Sequence, residues 1–340
     1  MKPKFKNPRA SQLQARGCSI IGVGSYVPAK ILTNQDLEKM VETSDEWITT
    51  RTGIKQRRIA AEDEWTSHMA ARAAEKAIKM AGITAADIDL IITATITPDV
   101  PFPATACIVQ ERLGAKRAAA FDIEAACSGF VFGLEVGQQF IMSRTYNTVL
   151  VIGAEKLSSI VNWSDRNTCV LFGDGAGAAL LQNRENSHGL LTTVMGADGE
   201  KGDLLLMPGG GSRCPATRAS VDARLHYLRM DGKQAFKSAV QAMESAAKEA
   251  LARCELDVSQ IKCIIPHQAN RRIIDAVAER LGASAEQLFI NVDKYGNTSA
   301  ASVAIALDEA VSSGRVSRGD LVLLVVFGAG LTWGAAVIEW

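Results

Sequence analysis

The sequence predicts an α/β fold built from two halves of like order, on three observations. Apolar, β-branched runs alternate with helical patterns along the whole chain. The order of these runs repeats at a spacing of roughly 170 residues, half of the 340 present. The composition, 47% hydrophobic and 22% charged, suits a globular chain with a large core.

Strand-like runs in the first half lie at 18–23, 90–95, 118–123 and 148–152, and 175–181 closes it. The second half has such runs at 190–195, 261–265, 288–292, 321–327 and 331–339. Each is short, apolar and bounded by turn residues. Helical patterns are expected at 34–42, 66–80, 128–143, 232–254, 271–281 and 299–312. The expected division is a flexible basic tail at 1–17, one half at 18–185 and a second at 186–340. No Pro/Ser linker separates the halves, so they are expected to share one body. Glycines 129, 133 and 137 form an i, i+4, i+8 row on one helical face. That row predicts close packing against the matching second-half helix, which begins Ser299-Ala300-Ala301-Ser302.

Composition also narrows the function. Net charge is zero, so no bulk field points to nucleic acid or to a membrane surface. No apolar stretch reaches spanning length without charge or turn residues. The seven cysteines are scattered and no CxxC pair occurs, which points to reduced thiols in a cytoplasmic setting rather than a zinc site or disulfide framework. Residues 1–17 carry five basic side chains and no acid, without the apolar core of a secretory signal.

Chemistry concentrates at Cys127, in Phe121-Asp122-Ile123-Glu124-Ala125-Ala126-Cys127-Ser128-Gly129-Phe130. Here a strand-like run gives way to a helix. A cysteine at a helix N-terminus meets orphan N–H groups and the positive end of the dipole, so the thiolate is expected to be favoured. The same N–H groups suit an oxyanion. A lone cysteine is ordinarily a small buried hydrophobe, and its company is what argues otherwise. His267 follows a strand in Ile264-Ile265-Pro266-His267-Gln268-Ala269-Asn270-Arg271-Arg272. Taken alone, such a histidine is more often structural. Asn297, in Lys294-Tyr295-Gly296-Asn297-Thr298-Ser299-Ala300-Ala301-Ser302, is expected to be the second-half counterpart of Cys127. A Cys, a His and an uncharged amide donor converge if strand ends meet near the centre of the duplication.

Cys127, His267 and Asn297, in this order and with these flanks, resemble the β-ketoacyl-acyl-carrier-protein synthases III of the thiolase superfamily. Three further segments agree: Thr43-Ser44-Asp45-Glu46-Trp47-Ile48-Thr49-Thr50-Arg51-Thr52-Gly53-Ile54, Gly173-Asp174-Gly175-Ala176-Gly177-Ala178, and Phe327-Gly328-Ala329-Gly330-Leu331-Thr332-Trp333-Gly334. The resemblance runs from about Ser19 to Trp340. It implies a five-layered α-β-α-β-α fold, a homodimer and a decarboxylative Claisen condensation that starts fatty acid synthesis. Cys127 would take an acyl group, short by expectation, from an acyl-coenzyme A. Malonyl-acyl-carrier protein would then lose CO2 and attack that thioester. Coenzyme A enters as substrate, and no cofactor or metal is implied.

The resemblance also assigns roles by position. His267 and Asn297 would stabilise the enolate left by decarboxylation. The backbone N–H groups of Cys127 and Ala329 would hold the tetrahedral oxyanion. Ala329 stands where the family usually has glycine, and its N–H serves provided its φ is not positive. Trp47, Arg51 and Arg166 match the coenzyme A adenine site, and Gly232 and Asn270 the pantetheine channel. Lys237, Arg272 and Arg280 match the basic face for the carrier protein, with Glu279 where the family often has lysine. Phe102 matches a residue that reaches the partner's acyl pocket. The Gly173–Gly177 motif precedes a strand pattern and reads as close backbone packing, not a phosphate loop. Thiolases with a second cysteine, hydroxymethylglutaryl-coenzyme A synthases with a catalytic glutamate and elongating synthases with two histidines fit Gly-Asn-Thr-Ser less well. An alkylquinolone- or polyketide-initiating relative stays open, as do a non-catalytic acyl-binding scaffold and a plain cysteine hydrolase.

Overall fold

The computed structural model describes residues 16–185 and 189–340. The first half runs β1 (Arg16–Tyr26), β2 (Lys30–Thr33), α1 (Asn34–Glu38), α2 (Asp45–Thr52), β3 (Gln56–Ile59), α3 (Thr66–Ala81), β4 (Leu90–Ala94), α4 (Thr105–Leu113), β5 (Ala119–Ile123), α5 (Gly129–Met142), β6 (Thr148–Glu155), α6 (Arg166–Cys169) and β7 (Gly175–Glu185). The second runs β8 (Leu190–Ala197), β9 (Leu205–Leu206), α7 (Arg218–Asp222), β10 (Arg229–Met230), α8 (Gly232–Arg253), β11 (Cys263–Pro266), α9 (Arg271–Leu281), α10 (Val292–Tyr295), α11 (Ala301–Ser312), β12 (Leu321–Gly328) and β13 (Thr332–Glu339).

Two sheets organise these elements, in the orders β1-β7-β6-β4-β5 and β8-β13-β12-β11. The orders correspond over four strands, and β5 extends the first sheet alone. β4 is parallel to β6 as β11 is to β12, and the first two pairs in each order are antiparallel. Strand β6 is buried throughout, so its near-continuous apolar run fits a central strand covered on both faces.

Three hydrophobic clusters show the layering. Helices α3 and α4 cover one face of the first sheet, with Met69, Ala73 and Val109 against Ile91, Leu150 and Ile152. Helices α5 and α11 lie between the sheets, where Phe130, Leu134, Val303 and Leu307 meet Ile92 and Val151 on one side and Ile265 and Leu324 on the other. Helices α8 and α9 cover the far face of the second sheet through Val240, Met243, Ala247 and Val277. This is the five-layered α-β-α-β-α arrangement. Fully buried Leu134 sits in its middle layer; truncation to alanine there costs about 2–5 kcal/mol.

Several expectations are corrected. Strand β1 begins at Arg16, so Arg16 and Gly17 are not tail; residues 1–15 lie outside the described residues. The helix expected at 34–42 ends at Glu38. The strand expected at 288–292 is a single parallel bridge, Ile264 to Leu288. There the Gln268 side chain replaces a ladder: its Oε1 accepts from the N–H groups of Asn291 and Val292, and its Nε2 donates to Phe289 O. The glycine row of α5 faces the first sheet rather than α11. A Cβ at Gly133 would lie 2.7 Å from Val151 Cγ1, and one at Gly137 2.8 Å from Leu181 Cδ1. Only Gly129 comes near α11, with Ala300 Cβ at 3.6 Å.

Candidate active site

Cys127 lies in a 3-10 turn, Ala126–Ser128, between β5 and α5. The turn opens with Ala126 at φ 45, a left-handed conformation rare for a residue with a side chain. The end of β12 presses on the turn from the other sheet. A Cβ at Gly328 would stand 2.6 Å from Cys127 N, so only glycine fits. The Thr332 hydroxyl, which donates to Ala125 O at 2.9 Å and lies 3.0 Å from Ala329 O, ties the next loop to it. Ala329 is not among the residues with positive φ; Gly330 carries that conformation instead, at φ 131. The departure from glycine at 329 is therefore compatible with this backbone.

His267 follows the last residue of β11, and its N–H donates to Val325 O at 2.7 Å. Its Nδ1 lies 2.6 Å from Ser302 Oγ on α11. Asn297 is held by backbone bonds to Leu171 and Gly173. Its Oδ1 accepts from Ser299 N at 2.8 Å, which leaves the amide Nδ2 as the outward donor. All three side chains are buried.

Two cavities meet at Cys127. The first, about 460 Å³, is lined by Cys127, His267 and Asn297 together with Trp47, Arg51, Gly232, Asn270 and Arg272. Phe236, Met230, Met243 and Phe327 make much of its wall apolar. The second, about 660 Å³, touches Cys127 from the other side and includes Ile123, Leu157, Leu206, Met207, Ser299 and Ala329. Sequence spacing therefore brings the triad and five of the proposed binding residues to one place. Arg166 reaches the same mouth by another route: its guanidinium stands 5.1 Å from the Trp47 ring centre, and Arg51 stands at 4.6 Å. Arg166 also donates to Glu42 O at 2.9 Å.

Other residues are placed less directly. Lys237 is exposed on α8. Arg272 lies over Phe236 at 5.9 Å. Arg280 is engaged in an ion pair with Glu244 at 2.8 Å, beside the exposed Glu279. Phe102 is 85% exposed and lines neither cavity, although its neighbour Pro101 lines the second.

The electrostatics correct one expectation. Burial pushes the Cys127 thiol up to about 12, with Ser299 as a hydrogen-bonding group opposing the rise and Glu155 adding to it. Desolvation thus opposes the helix terminus and favours the thiol over the thiolate. Burial draws His267 down to about 4, so the ring is neutral at pH 7. Sequence reasoning missed Glu155, which is fully buried at the end of β6. It also gave no role to Ser299 or Ser302. The available signal for Glu155 was a carboxylate ending an apolar run that fits a central strand.

The comparisons with known proteins follow this geometry. The family described as 3-oxoacyl-[acyl-carrier-protein] synthase III matches residues 121–199, and its C-terminal counterpart matches residues 251–340. A β-ketoacyl-[acyl-carrier-protein] synthase III from Caldanaerobacter subterraneus is 58% identical, over 94% of this chain and 97% of that protein. One from Natranaerobius thermophilus is 54% identical, over 94% and 98%. The crystal structure of 3-oxoacyl-[acyl-carrier-protein] synthase III from Aquifex aeolicus superposes with a TM-score of 0.89 at 50% identity, covering 95% of this chain and all of that one.

Proposed function

This chain belongs to the β-ketoacyl-[acyl-carrier-protein] synthase III family, and from that premise we propose how its own residues divide the reaction. It is an acyltransferase of the condensing type that initiates fatty acid synthesis. With relatives of that name at 54–58% identity, an alkylquinolone- or polyketide-initiating role is not the favoured reading.

The reaction has two stages. An acyl-coenzyme A enters the first cavity, its adenine taking the place of one guanidinium against Trp47 between Arg51 and Arg166. Its pantetheine passes Gly232 and Asn270 to Cys127. The sulfur attacks the thioester carbonyl, and the Cys127 and Ala329 N–H groups hold the oxyanion. Coenzyme A leaves, and the acyl chain lies in the second cavity beside Ile123 and Leu157.

Malonyl-acyl-carrier protein then docks against Lys237 and Arg272. Arg280 contributes less, because Glu244 already engages it. Loss of CO2 leaves negative charge on the thioester oxygen. Asn297 Nδ2 donates to it, since Ser299 N already occupies Oδ1. The Ser302 hydroxyl donates to His267 Nδ1, so the neutral ring presents Nε2–H as the second donor. Two neutral donors in a desolvated site stabilise the enolate without a metal. The enolate carbon attacks the acyl-Cys127 carbonyl, and the thiolate of Cys127 leaves.

Three further readings complete the proposal. The two sheets are the products of a duplication, divided where the chain crosses between them after Glu185. The protein acts as a homodimer, with exposed Phe102 reaching the partner's second cavity. The reaction runs in the cytoplasm, and no helix among the described residues is long and apolar enough to cross a membrane.

The observation that carries this reading is the convergence of Cys127, His267 and Asn297 on one cavity with Trp47 and Arg51 in its wall. Intact-protein mass spectrometry with a panel of acyl-coenzyme A thioesters tests it. One acyl addition is expected, absent from Cys127→Ala and discharged by malonyl-acyl-carrier protein. No addition from any thioester would contradict it.

A further inference from the structure

The two stages leave one proton without a destination. Cys127 rests as a thiol and must lose its proton to attack. His267 is a poor acceptor: its Nδ1 is engaged by Ser302 and its basicity is depressed by burial. On the second-cavity side, Ser299 lines the same wall as Cys127, and its hydroxyl donates to Glu155 Oε1 at 3.0 Å. The Glu155 carboxylate also accepts from Thr97 Oγ1 at 2.5 Å, from Thr95 Oγ1 at 3.2 Å and from Ile96 N. These partners are all neutral.

Charged groups near Glu155 are otherwise occupied. Adjacent Lys156 turns its ammonium to the carbonyls of Ala61, Glu62 and Glu64. Asp174, near the start of β7, accepts from Ala60 and Ser158. Among the described residues, the segment after β4 supplies Thr95, Ile96 N–H and Thr97, the α11 side Ser299, and the α5 side the Cys127 thiol.

We propose that Glu155, acting through the Ser299 hydroxyl, is the proton acceptor that activates Cys127. The inference rests on Cys127 being the acylated residue. The Cys127 sulfur passes its proton to Ser299 Oγ while the Ser299 hydroxyl proton moves to Glu155 Oε1. The thiolate bonds to the acyl carbon, the bond from that carbon to the coenzyme A sulfur breaks, and the departing thiolate takes its proton from solvent through the first cavity, while Glu155 returns its own through Ser299 to the Cys127 thiolate that condensation releases. Acyl-coenzyme A and a thiol thus become acyl-Cys127 and free coenzyme A. Burial without a cation raises the Glu155 carboxyl to about 7, against about 4 for His267. That makes Glu155 roughly a thousandfold stronger base.

The acceptor is the ionised carboxylate, so Cys127 reactivity should rise as pH increases through about 7 and level above it. The test is the pH profile of Cys127 acylation, by rapid quench and intact mass, beside substrate-free alkylation by iodoacetamide. Wild type, Glu155→Gln and Ser299→Ala are compared. Glu155→Gln keeps shape and an acceptor oxygen but cannot take the proton. Both variants should lose the inflection and acylate about 100-fold more slowly at pH 8, while malonyl decarboxylation falls much less. If Glu155→Gln does not fold, the wild-type and Ser299→Ala profiles decide. A wild-type profile without an inflection near 7 overturns the inference. Equal loss of acylation and decarboxylation with an unmoved profile also overturns it, because that pattern belongs to a displaced Asn297. Wild-type protein that takes no acyl group on Cys127 overturns the functional reading as well; normal acylation with unchanged profiles in both variants overturns the relay alone.

Discussion

The two halves build the same backbone device and load it differently. Cys127 stands two residues before α5, and Ser299 stands two residues before α11. Counted from the helix starts, Ser299 rather than Asn297 is the counterpart of Cys127. Each turn contains a left-handed residue, Ala126 at φ 45 and Ser299 itself at φ 48. Each is met by the end of the equivalent strand of the other sheet. Gly328, the last residue of β12, packs on Cys127 N, and Glu155, the last residue of β6, accepts from Ser299. Where glycine sits, the strand end comes close against the backbone of Cys127. Where glutamate sits, a buried carboxylate faces a hydroxyl. On the reading proposed above, a symmetric scaffold thereby separates the nucleophile from the groups that stabilise the enolate.

Breaking one side and not the other sharpens this contrast. The largest effect is expected from Cys127→Ala, which should abolish acyl uptake and lower condensation at least about 10⁴-fold while malonyl decarboxylation continues, read as CO2 release. Asn297→Asp should act on the other side. A carboxylate opposes the enolate, so decarboxylation should fall about 10²–10³-fold with Cys127 still acylated. Ser302→Ala should be milder. It leaves His267 Nδ1 buried and unpaired, which is worth about 1–3 kcal/mol, or roughly 5- to 150-fold in single-turnover discharge of the acyl-enzyme. Arg166→Ala removes one cation from Trp47; the apparent KM for acyl-coenzyme A should rise about 3- to 30-fold, corresponding to about 0.5–2 kcal/mol. Arg280→Ala should change the KM for malonyl-acyl-carrier protein less than about 3-fold, since the exposed pair with Glu244 already holds that charge.

Much of this was legible in the chain because the relevant signals are local. Apolar runs marked the central strands, and the flanks of Cys127, His267 and Asn297 marked three junctions that the paired sheet orders bring together. What the sequence hid depends on tertiary contact. The 288–292 run looks like a strand, yet Gln268 satisfies its backbone from a distant turn. The row of glycines on α5 has the right spacing for a helix pair, but spacing cannot say whether a helix or a sheet lies opposite. The Cys127 thiol sits where a helix terminus favours the thiolate, but burial, with Glu155 adding to it, acts in the opposite direction. Glu155 and Ser299 lie 144 residues apart, and no periodicity connects them.

The most direct test of a divided site is one rapid-quench mass measurement on Asn297→Asp, given acyl-coenzyme A and then malonyl-acyl-carrier protein. The account predicts that the acyl group appears on Cys127 at near the wild-type rate and then stays there. Failure to acylate, or discharge as fast as in wild type, would contradict the assignment of nucleophile and enolate donors to separate halves.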